Sequence, residues 1–320
     1  MDMDTKILNF LKEHRADFIS GEELSHRLGV SRTAVWKHIQ DLRENGYDIM
    51  AQPHQGYRLV SVPDRLLKDE ITYKLDTRAF GQKVISYAAV GSTNDTAFSL
   101  AEQGAVEGTL VVAEKQTKGR GRLGRNWVSQ EGGIYASLIL RPEMAPIEAG
   151  LITLMAAVGI VRAIQDLTGL EAQVKWPNDI LIHGKKVCGI LTEMSAEQDR
   201  VKFCVLGFGI NVSQPANALP AAAVSLAKAS GAGVRRVDVV RHALVSLEQV
   251  YDLLRQQRFA ELLAAWKGHS ATLGQRVKVH IHDRVLEGVA QDLDEGGALL
   301  VRDDSGKMHR VVSGDVSLNR

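Results

Sequence analysis

Cysteine is almost missing from this 320-residue chain: only Cys188 and Cys204 occur, each in a strand-like segment. Buried free thiols are therefore expected, rather than a disulfide or a metal cage. Net charge is nearly absent too. Lys and Arg number 39 against 38 Asp and Glu, a balance of +1, so any attraction to nucleic acid must come from a local patch. No long apolar run is present. The longest, Leu151 to Val161, contains Thr153 and Gly159 and is too short to span a bilayer. The opening Met1-Asp-Met-Asp-Thr-Lys6 is acidic and polar, without a secretory pattern. A cytoplasmic location with no membrane partner is expected. Internal repeats and low-complexity tracts are also lacking, the nearest being a loop rich in Ala, Gly and Ser from Ala216 to Gly233. With 45% hydrophobic and 24% charged residues, the chain has an ordinary globular composition and length for two or three domains.

The first sixty residues carry helix punctuation. Ile7, Leu8 and Leu11 share one side of a first helix. Ser20-Gly-Glu-Glu23 is a capping box, followed by Leu24 and Leu28 before Gly29 stops the helix. Ser31 caps a third, with Val35, Ile39 and Leu42 on its buried face and Gly46 at its end. The tight turn between the last two helices predicts a helix-turn-helix. Ser31, Arg32, Thr33, Trp36 and Lys37 then open a recognition helix suited to a major groove. Tyr47 to Met50 and Tyr57 to Val60 predict a hairpin wing, where His54 and Arg58 can touch phosphates. Charge does not separate this reading from a three-helix interaction domain: residues 1–62 hold eight basic and nine acidic side chains. Residues 27–62 are more favourable, with five basic and three acidic. Weak binding by one copy and useful affinity from a dimer are expected.

The densest chemistry lies in Gly119-Arg-Gly-Arg-Leu-Gly-Arg125, three glycines and three arginines with no carboxylate inside the run. Such a loop suits a site where two anions are brought together. The same composition fits a solvated basic loop or a nucleic-acid patch. Around it the pattern predicts strands over Lys83 to Val90, Thr109 to Gln116, Gly133 to Leu140 and Val201 to Val212, with a hairpin from Ile180 to Glu193 about His183-Gly184. Helices are predicted over Asp95 to Gln103, Ile147 to Leu167 and Val237 to Trp266. That is a mixed sheet with packed helices, an α+β domain. Gly91-Ser-Thr-Asn94 sits at a strand-to-helix junction, where it can hold a polar ligand group or serve as an ordinary N-cap. Lys186 reads equally as a solvated hairpin lysine.

Five motifs in order carry a family resemblance: Gly91-Ser-Thr-Asn94, the arginine loop, Lys175-Trp-Pro-Asn-Asp179, Lys186-Val-Cys-Gly-Ile190 and Gly207-Phe-Gly-Ile-Asn-Val212. With the helix-turn-helix, the chain resembles the bifunctional biotin–protein ligases that also repress the biotin operon. The resemblance spans essentially the whole length. It implies an α+β multidomain fold: a winged helix-turn-helix over residues 1–62, a class II synthetase-like mixed-sheet ligase domain over 63–270, and an SH3-like β-barrel over 271–320. It implies adenylation of biotin by ATP with Mg, and transfer of the biotinyl group to a lysine of a carrier domain, typically in acetyl-CoA carboxylase. Ser92, Thr93, Asn94 and Gln116 would bind the ureido ring. Arg120, Gly121 and Arg122 would close over biotin, while Lys186 would bridge carboxylate and α-phosphate, with Arg122 and Lys186 as the catalytic pair. Arg125, Trp127, Asn178, Asp179 and Asn211 would serve ATP and the adenylate, with Asn178 and Asp179 orienting metal or helping deprotonate the incoming lysine. No fixed protein ligands for a metal are expected beyond Mg arriving with ATP. Leu181, Ile190 and Leu206 would line the slot for the biotin tail. Leu123 stands where some relatives carry arginine, a modest loss of charge at the loop tip.

The last fifty residues read as short strands, Gln275 to Ile281, Arg284 to Leu293, Ala298 to Arg302, Lys307 to Val312 and Val316 to Leu318. His280, His282 and Asp283 lie close together, but histidines alternating on a strand usually face solvent, and no site is assigned. The resemblance further implies operator DNA and a homodimer formed when adenylate is bound. Three rivals differ in standing: the retained Lys186 and arginines speak against a non-catalytic sensor of a small acid, Lys175-Trp-Pro-Asn-Asp179 beside the full arginine loop favours biotin over a lipoate or octanoyl ligase, and an enzyme with a vestigial N-terminal domain stays open.

Overall fold

The computed structural model describes residues 2–281 and 284–318. The chain forms two compact units, Met1–Arg65 and Leu66–Arg320. In the first, helices α1 (Met3–Glu13), α2 (Gly21–Leu28) and α3 (Arg32–Glu44) precede strands β1 (Asp48–Gln52) and β2 (Gly56–Ser61). The predicted caps are present: Ser20 Oγ accepts the Glu23 N–H at 3.0 Å and Ser31 Oγ that of Ala34 at 3.1 Å. Gly29 ends α2 in the left-handed region that a Cβ disfavours. Ile7, Leu8, Leu11, Leu24, Val35, Ile39 and Leu42 are all buried, joined by Ile49 and Leu59 of the antiparallel β1–β2 hairpin. Each such aliphatic side chain contributes about 1.5–3 kcal/mol when fully buried.

The second unit opens with α4 (Lys68–Thr72), β3 (Val84–Val90), α5 (Thr93–Glu102), β4 (Leu110–Gln116), β5 (Gly133–Leu140) and α6 (Gly150–Thr168). Next come β6 (Ala172–Lys175), β7 (Asp179–Ile182), β8 (Lys185–Ala196), β9 (Val201–Asn211), α7 (Leu226–Ser230), α8 (Arg236–Arg255) and α9 (Phe259–Gly268). Strands β3 to β9 make one seven-stranded sheet in the order β3-β4-β5-β9-β8-β7-β6. Only β3 and β4, joined through α5, run parallel, so the sheet is mixed as expected. Side-chain alternation divides the two faces. Leu110, Val112, Leu138, Cys204 and Leu206 pack against α6, α8 and α9. Val111, Ile139, Phe203 and Val205 pack beneath Ala97 and Ala101 of α5.

Length needs one correction. The segment Pro146–Thr168, 23 residues, is long and apolar enough to cross a membrane, unlike the shorter run read from the sequence. Most of its apolar residues from Leu151 to Ile164, however, are buried within this core, where an all-round apolar helix belongs, while Ile147 at the start is exposed. Cys188 and Cys204 are buried and free. Burial pushes both thiols up, Cys204 to about 12, which disfavours the thiolate form.

The C-terminal strands are β10 (Arg276–Ile281), β11 (Arg284–Leu293), β12 (Leu299–Arg302), β13 (Met308–Val311) and β14 (Asp315–Leu318), in the order β13-β12-β11-β10-β14. No pairing closes β13 onto β14 among the described residues, so a closed SH3-like barrel is not found. The sheet shares the core of the central domain through Val277, Val279, Leu299 and Val301, and the Trp176 indole N–H donates to the Gly297 carbonyl at 3.2 Å. His282 and Asp283 lie outside the described residues.

A carboxylate that the pattern does not flag anchors the approach to β3. Glu248 of α8 accepts the backbone N–H groups of Arg78, Ala79 and Phe80 at 2.7–2.9 Å. Burial alone would raise its pKa, but these donors and Arg78 outweigh burial and hold it below the usual carboxylate range. Glu248→Gln is expected to cost about 1–3 kcal/mol near neutrality, the scale of hydrogen bonds to a charged group. Because the folded pKa is depressed, the stabilisation is present above the unfolded value and lost as pH falls through the folded one. Urea unfolding should therefore show the wild-type advantage at about pH 7 and a smaller one at about pH 3.

Candidate active site

The cavity exists because two residues on one face of β9 have no side chain. On the α5 face, Phe203 and Val205 fill the space under the helix, and the next two positions are Gly207 and Gly209. Gly189 of β8 lies directly opposite Gly209. A Cβ at Gly207 would stand 2.0 Å from Asn94 Oδ1, and one at Gly209 would stand 2.5 Å from the Trp127 indole. Above this floor lies a cavity of about 140 Å³. Ser92, Thr93, Asn94, Gln116, Arg120, Gly121, Arg122, Arg125, Trp127, Asn178, Asp179 and Lys186 all border it, so residues spread over almost a hundred positions converge there.

At one end, Ser92 caps α5 by accepting the Asp95 N–H at 3.4 Å, so the ordinary N-cap reading holds as well. Thr93 and Asn94 are buried polar side chains with firm partners. Gln116 Oε1 accepts from the Thr93 N–H at 2.7 Å, and Gln116 Nε2 donates to Ser129 Oγ at 2.9 Å. The Ser137 hydroxyl, buried on β5, contacts both Thr93 Oγ1 and Asn94 Oδ1, at 2.8 and 2.6 Å. Ser129 and Ser137 escaped the sequence reading because isolated serines on strands and loops carry no local signal.

The arginine loop is a compact turn. The Trp127 N–H donates to the Gly119 carbonyl at 2.9 Å and the Gly121 N–H to the Arg125 carbonyl at 2.7 Å. Leu123 sits at its tip in the left-handed region, φ 57°, 75% exposed. The run holds no carboxylate of its own, but carboxylates reach two of its arginines from other elements. Arg120 meets Asp95 at 2.6 Å and Glu193 at 3.0 Å, while Arg125 pairs with Asp315 of β14. Arg122 contacts the neutral Asn178 Oδ1 at 3.3 Å. Burial lowers the pKa of its guanidinium, partly offset by Asp315 and Asp179, yet arginine stays charged in proteins.

Lys186 borders the same cavity as Arg122. Its Nζ lies 2.5 Å from Asp179 Oδ1 and 5.2 Å from the Trp127 ring centroid. Lys175 also reaches Asp179, at 3.7 Å. Asp179 is thus held between two lysines. Trp127 further borders a second, mostly apolar cavity of about 190 Å³, shared with Asn211, Leu219, Pro220 and Ala223. Asn211 borders that second cavity rather than the first, and the loop after β9 supplies its aliphatic wall. The indole N–H of Trp127 is buried and finds no hydrogen-bond partner among the described residues. Of the three residues assigned to an apolar slot, only Ile190 borders the first cavity. Leu206 points to the opposite face of β9, into the helix-packed core, and Leu181 is buried away from the cavity.

In the N-terminal unit, Arg32, Thr33, Trp36 and Lys37 are exposed along the first turns of α3, with Trp36 at 55%. Ser31 spends its hydroxyl on the cap. Arg58 stacks on the Phe18 ring, 4.6 Å from its centroid, and is half-buried.

Comparison with known proteins places the chain in a family. The model of the biotin/lipoate A/B protein ligase family matches residues 87–211, an HTH domain matches 4–58, and the biotin protein ligase C-terminal domain matches 272–319. The bifunctional ligase/repressor BirA of Bacillus subtilis is 42% identical over 307 residues, 94% of each chain. The BirA protein of Escherichia coli is 32% identical over 94% of this chain and 93% of its own. Among solved structures, the biotin protein ligase of Aquifex aeolicus in complex with biotin and ATP superposes with a TM-score of 0.64 at 31% identity, covering 75% of this chain and 99% of that one. Motif order, the converging cavity and near full-length identity together make this chain a member of the biotin–protein ligase family, of the bifunctional ligase/repressor kind.

Proposed function

We propose that the chain activates biotin with ATP as biotinyl-5′-adenylate, releases pyrophosphate, and passes the biotinyl group to a carrier lysine, while its adenylate-bound dimer represses biotin-synthesis genes. The observation that carries this reading is that Arg122 and Lys186 border one glycine-floored cavity together with Thr93, Asn94 and Gln116. A carboxylic acid is ionised near neutrality, so no general base is needed in the first step. The obstacle is repulsion between the carboxylate and the α-phosphate, which fixed cations offset. A carboxylate oxygen bonds to the α-phosphorus as the bond to the β-phosphate oxygen breaks. In the second step the carrier amine attacks the acyl carbon, AMP leaves, and the amine loses a proton.

Asn94 supports the ring assignment: its Oδ1 accepts one hydrogen bond from Ser137 and retains a lone pair for a ligand N–H. Trp127 and Asn211, beside the second cavity, suit an adenine. Asp179 is engaged by Lys186 and Lys175, which fits an anchor for Lys186 better than a metal ligand. The described residues offer no set of free carboxylates in the cavity, so Mg would come bound to the ATP phosphates, where it screens their charge. The C-terminal sheet would serve as the family's SH3-like domain, with 1–62, 63–270 and 271–320 as the working divisions. The exposed face of α3 would read operator DNA, a weak contact per copy that two copies make useful, and the partners would be a biotin carboxyl carrier protein and a second copy of this chain.

Exchange of labelled pyrophosphate into ATP tests the enzymatic half. Exchange that requires biotin, and falls at least about tenfold in Arg122→Ala, is the expected result. Exchange indifferent to biotin would sink the reading. For the regulatory half, gel-shift affinity for a biotin-gene promoter should rise when biotin and ATP are added together.

A further inference from the structure

The structure assigns Glu193 of β8 as a positioning residue that couples the inner end of the cavity to the arginine loop; the assignment rests on the biotin reading above. Glu193 belongs to no motif, yet its carboxylate has two clients. Oε2 accepts from Asn94 Nδ2 at 2.7 Å, and Oε1 accepts from Arg120 at 3.0 Å. The Asn94 amide is buried, and its other N–H points to the Leu191 carbonyl at 3.3 Å. Both donors of Asn94 are therefore consumed on β8. The amide cannot flip without setting its NH₂ against the Ser137 hydroxyl and its carbonyl against a carboxylate. Oδ1 is thereby kept on the cavity side, as an acceptor for a ureido N–H.

The same carboxylate, together with Asp95 at 2.6 Å from the same Arg120 nitrogen, pins the base of the arginine loop. A single charge thus orients the group that reads the ring and restrains the loop that covers it. Charge-assisted bonds of this type are the strong ones, and losing one partner frees the other.

Substitution separates the two clients. In Glu193→Gln one oxygen can still accept from Asn94, but the amide nitrogen opposes Arg120. Glu193→Ala removes both contacts. Biotin affinity by titration calorimetry, and KM and kcat for biotin-dependent pyrophosphate exchange, should be measured on the full chain. Glu193→Ala should weaken biotin about tenfold or more, while Glu193→Gln stays within about threefold of wild type in KM and loses kcat severalfold. Asp95→Asn, which loosens Arg120 alone, should follow Glu193→Gln. A purely structural role would move KM and kcat together and would not be rescued by glutamine. Wild-type affinity in Glu193→Ala, or equal losses in Ala and Gln, would overturn the assignment. If Glu193→Ala fails to fold, Glu193→Asp replaces it: the carboxylate is withdrawn by one methylene, and biotin KM must rise severalfold or the assignment falls. Wild type lacking biotin-dependent exchange would overturn both this inference and the function it rests on.

Discussion

Replacing Lys186 with alanine is expected to lower biotin-dependent pyrophosphate exchange by about 10³-fold while changing biotin affinity far less. The magnitude comes from where charge develops. Two unit charges about 4 Å apart interact by about 4 kcal/mol at an effective dielectric of about 20, close to three decades in rate. Lys186 Nζ is held beside the cavity by Asp179 at 2.5 Å and lies over the Trp127 indole. It therefore needs little reorganisation when carboxylate and α-phosphate meet. A ground-state contact would raise KM with kcat intact, whereas a contact realised only in the transition state lowers kcat and kcat/KM together. Lys186→Arg should retain part of the rate, since charge is kept but the compact ammonium is replaced by a planar fork. Asp179→Asn should fall between wild type and Lys186→Ala, because Lys186 then keeps its charge and loses its anchor. Single-turnover adenylation that is unchanged in Lys186→Ala would remove the residue from the reaction.

Gly207→Ala should weaken biotin about 10²-fold, roughly 2.7 kcal/mol, in a protein that still folds. The strand itself tolerates alanine, because Gly207 is outside the left-handed region and paired normally in β9. The added methyl is obstructed elsewhere: it would lie 2.0 Å from Asn94 Oδ1 and 2.8 Å from Asn94 Cγ. Asn94 has no retreat, being buried between Ser137, Leu191 and Glu193. Either the amide leaves the cavity or the strands spread. Gly209→Ala supplies the contrast, since its methyl meets the Trp127 indole at 2.5 Å instead. Its main effect should fall on ATP KM. Calorimetric titration with biotin and exchange kinetics over ATP concentration distinguish the two, and identical profiles would mean that the floor has no division between ring end and nucleotide end.

Much of the fold was legible because the signals were local. Caps at Ser20 and Ser31, the αL glycine at position 29, and the apolar runs of β4, β5 and β9 are set by residues within a turn or a strand. What was lost was short or interrupted. The helices α4 and α7 have five residues each, and β6 has four, too few for a period to stand out. The predicted helix over Val237 to Trp266 is broken between Arg255 and Phe259, with Gln257 at φ 55°. No glycine or proline announces that break.

The residue types of the site, their order and their spacing were written in the motifs, since a family's chemistry is carried by side chains that must be present whatever surrounds them. Partnership was not. An arginine loop without internal carboxylates gives no hint that Asp95, Glu193 and Asp315 will come to meet it from α5, β8 and β14. Which face of β9 is cavity and which is core turns on one residue of register: Gly207 opens the site while Leu206, its neighbour, is sealed under the helices. Those outcomes depend on strand pairing between segments far apart in the chain. Ion pairs and cavities are properties of what is brought close in space, and a linear pattern records only what is close along the backbone.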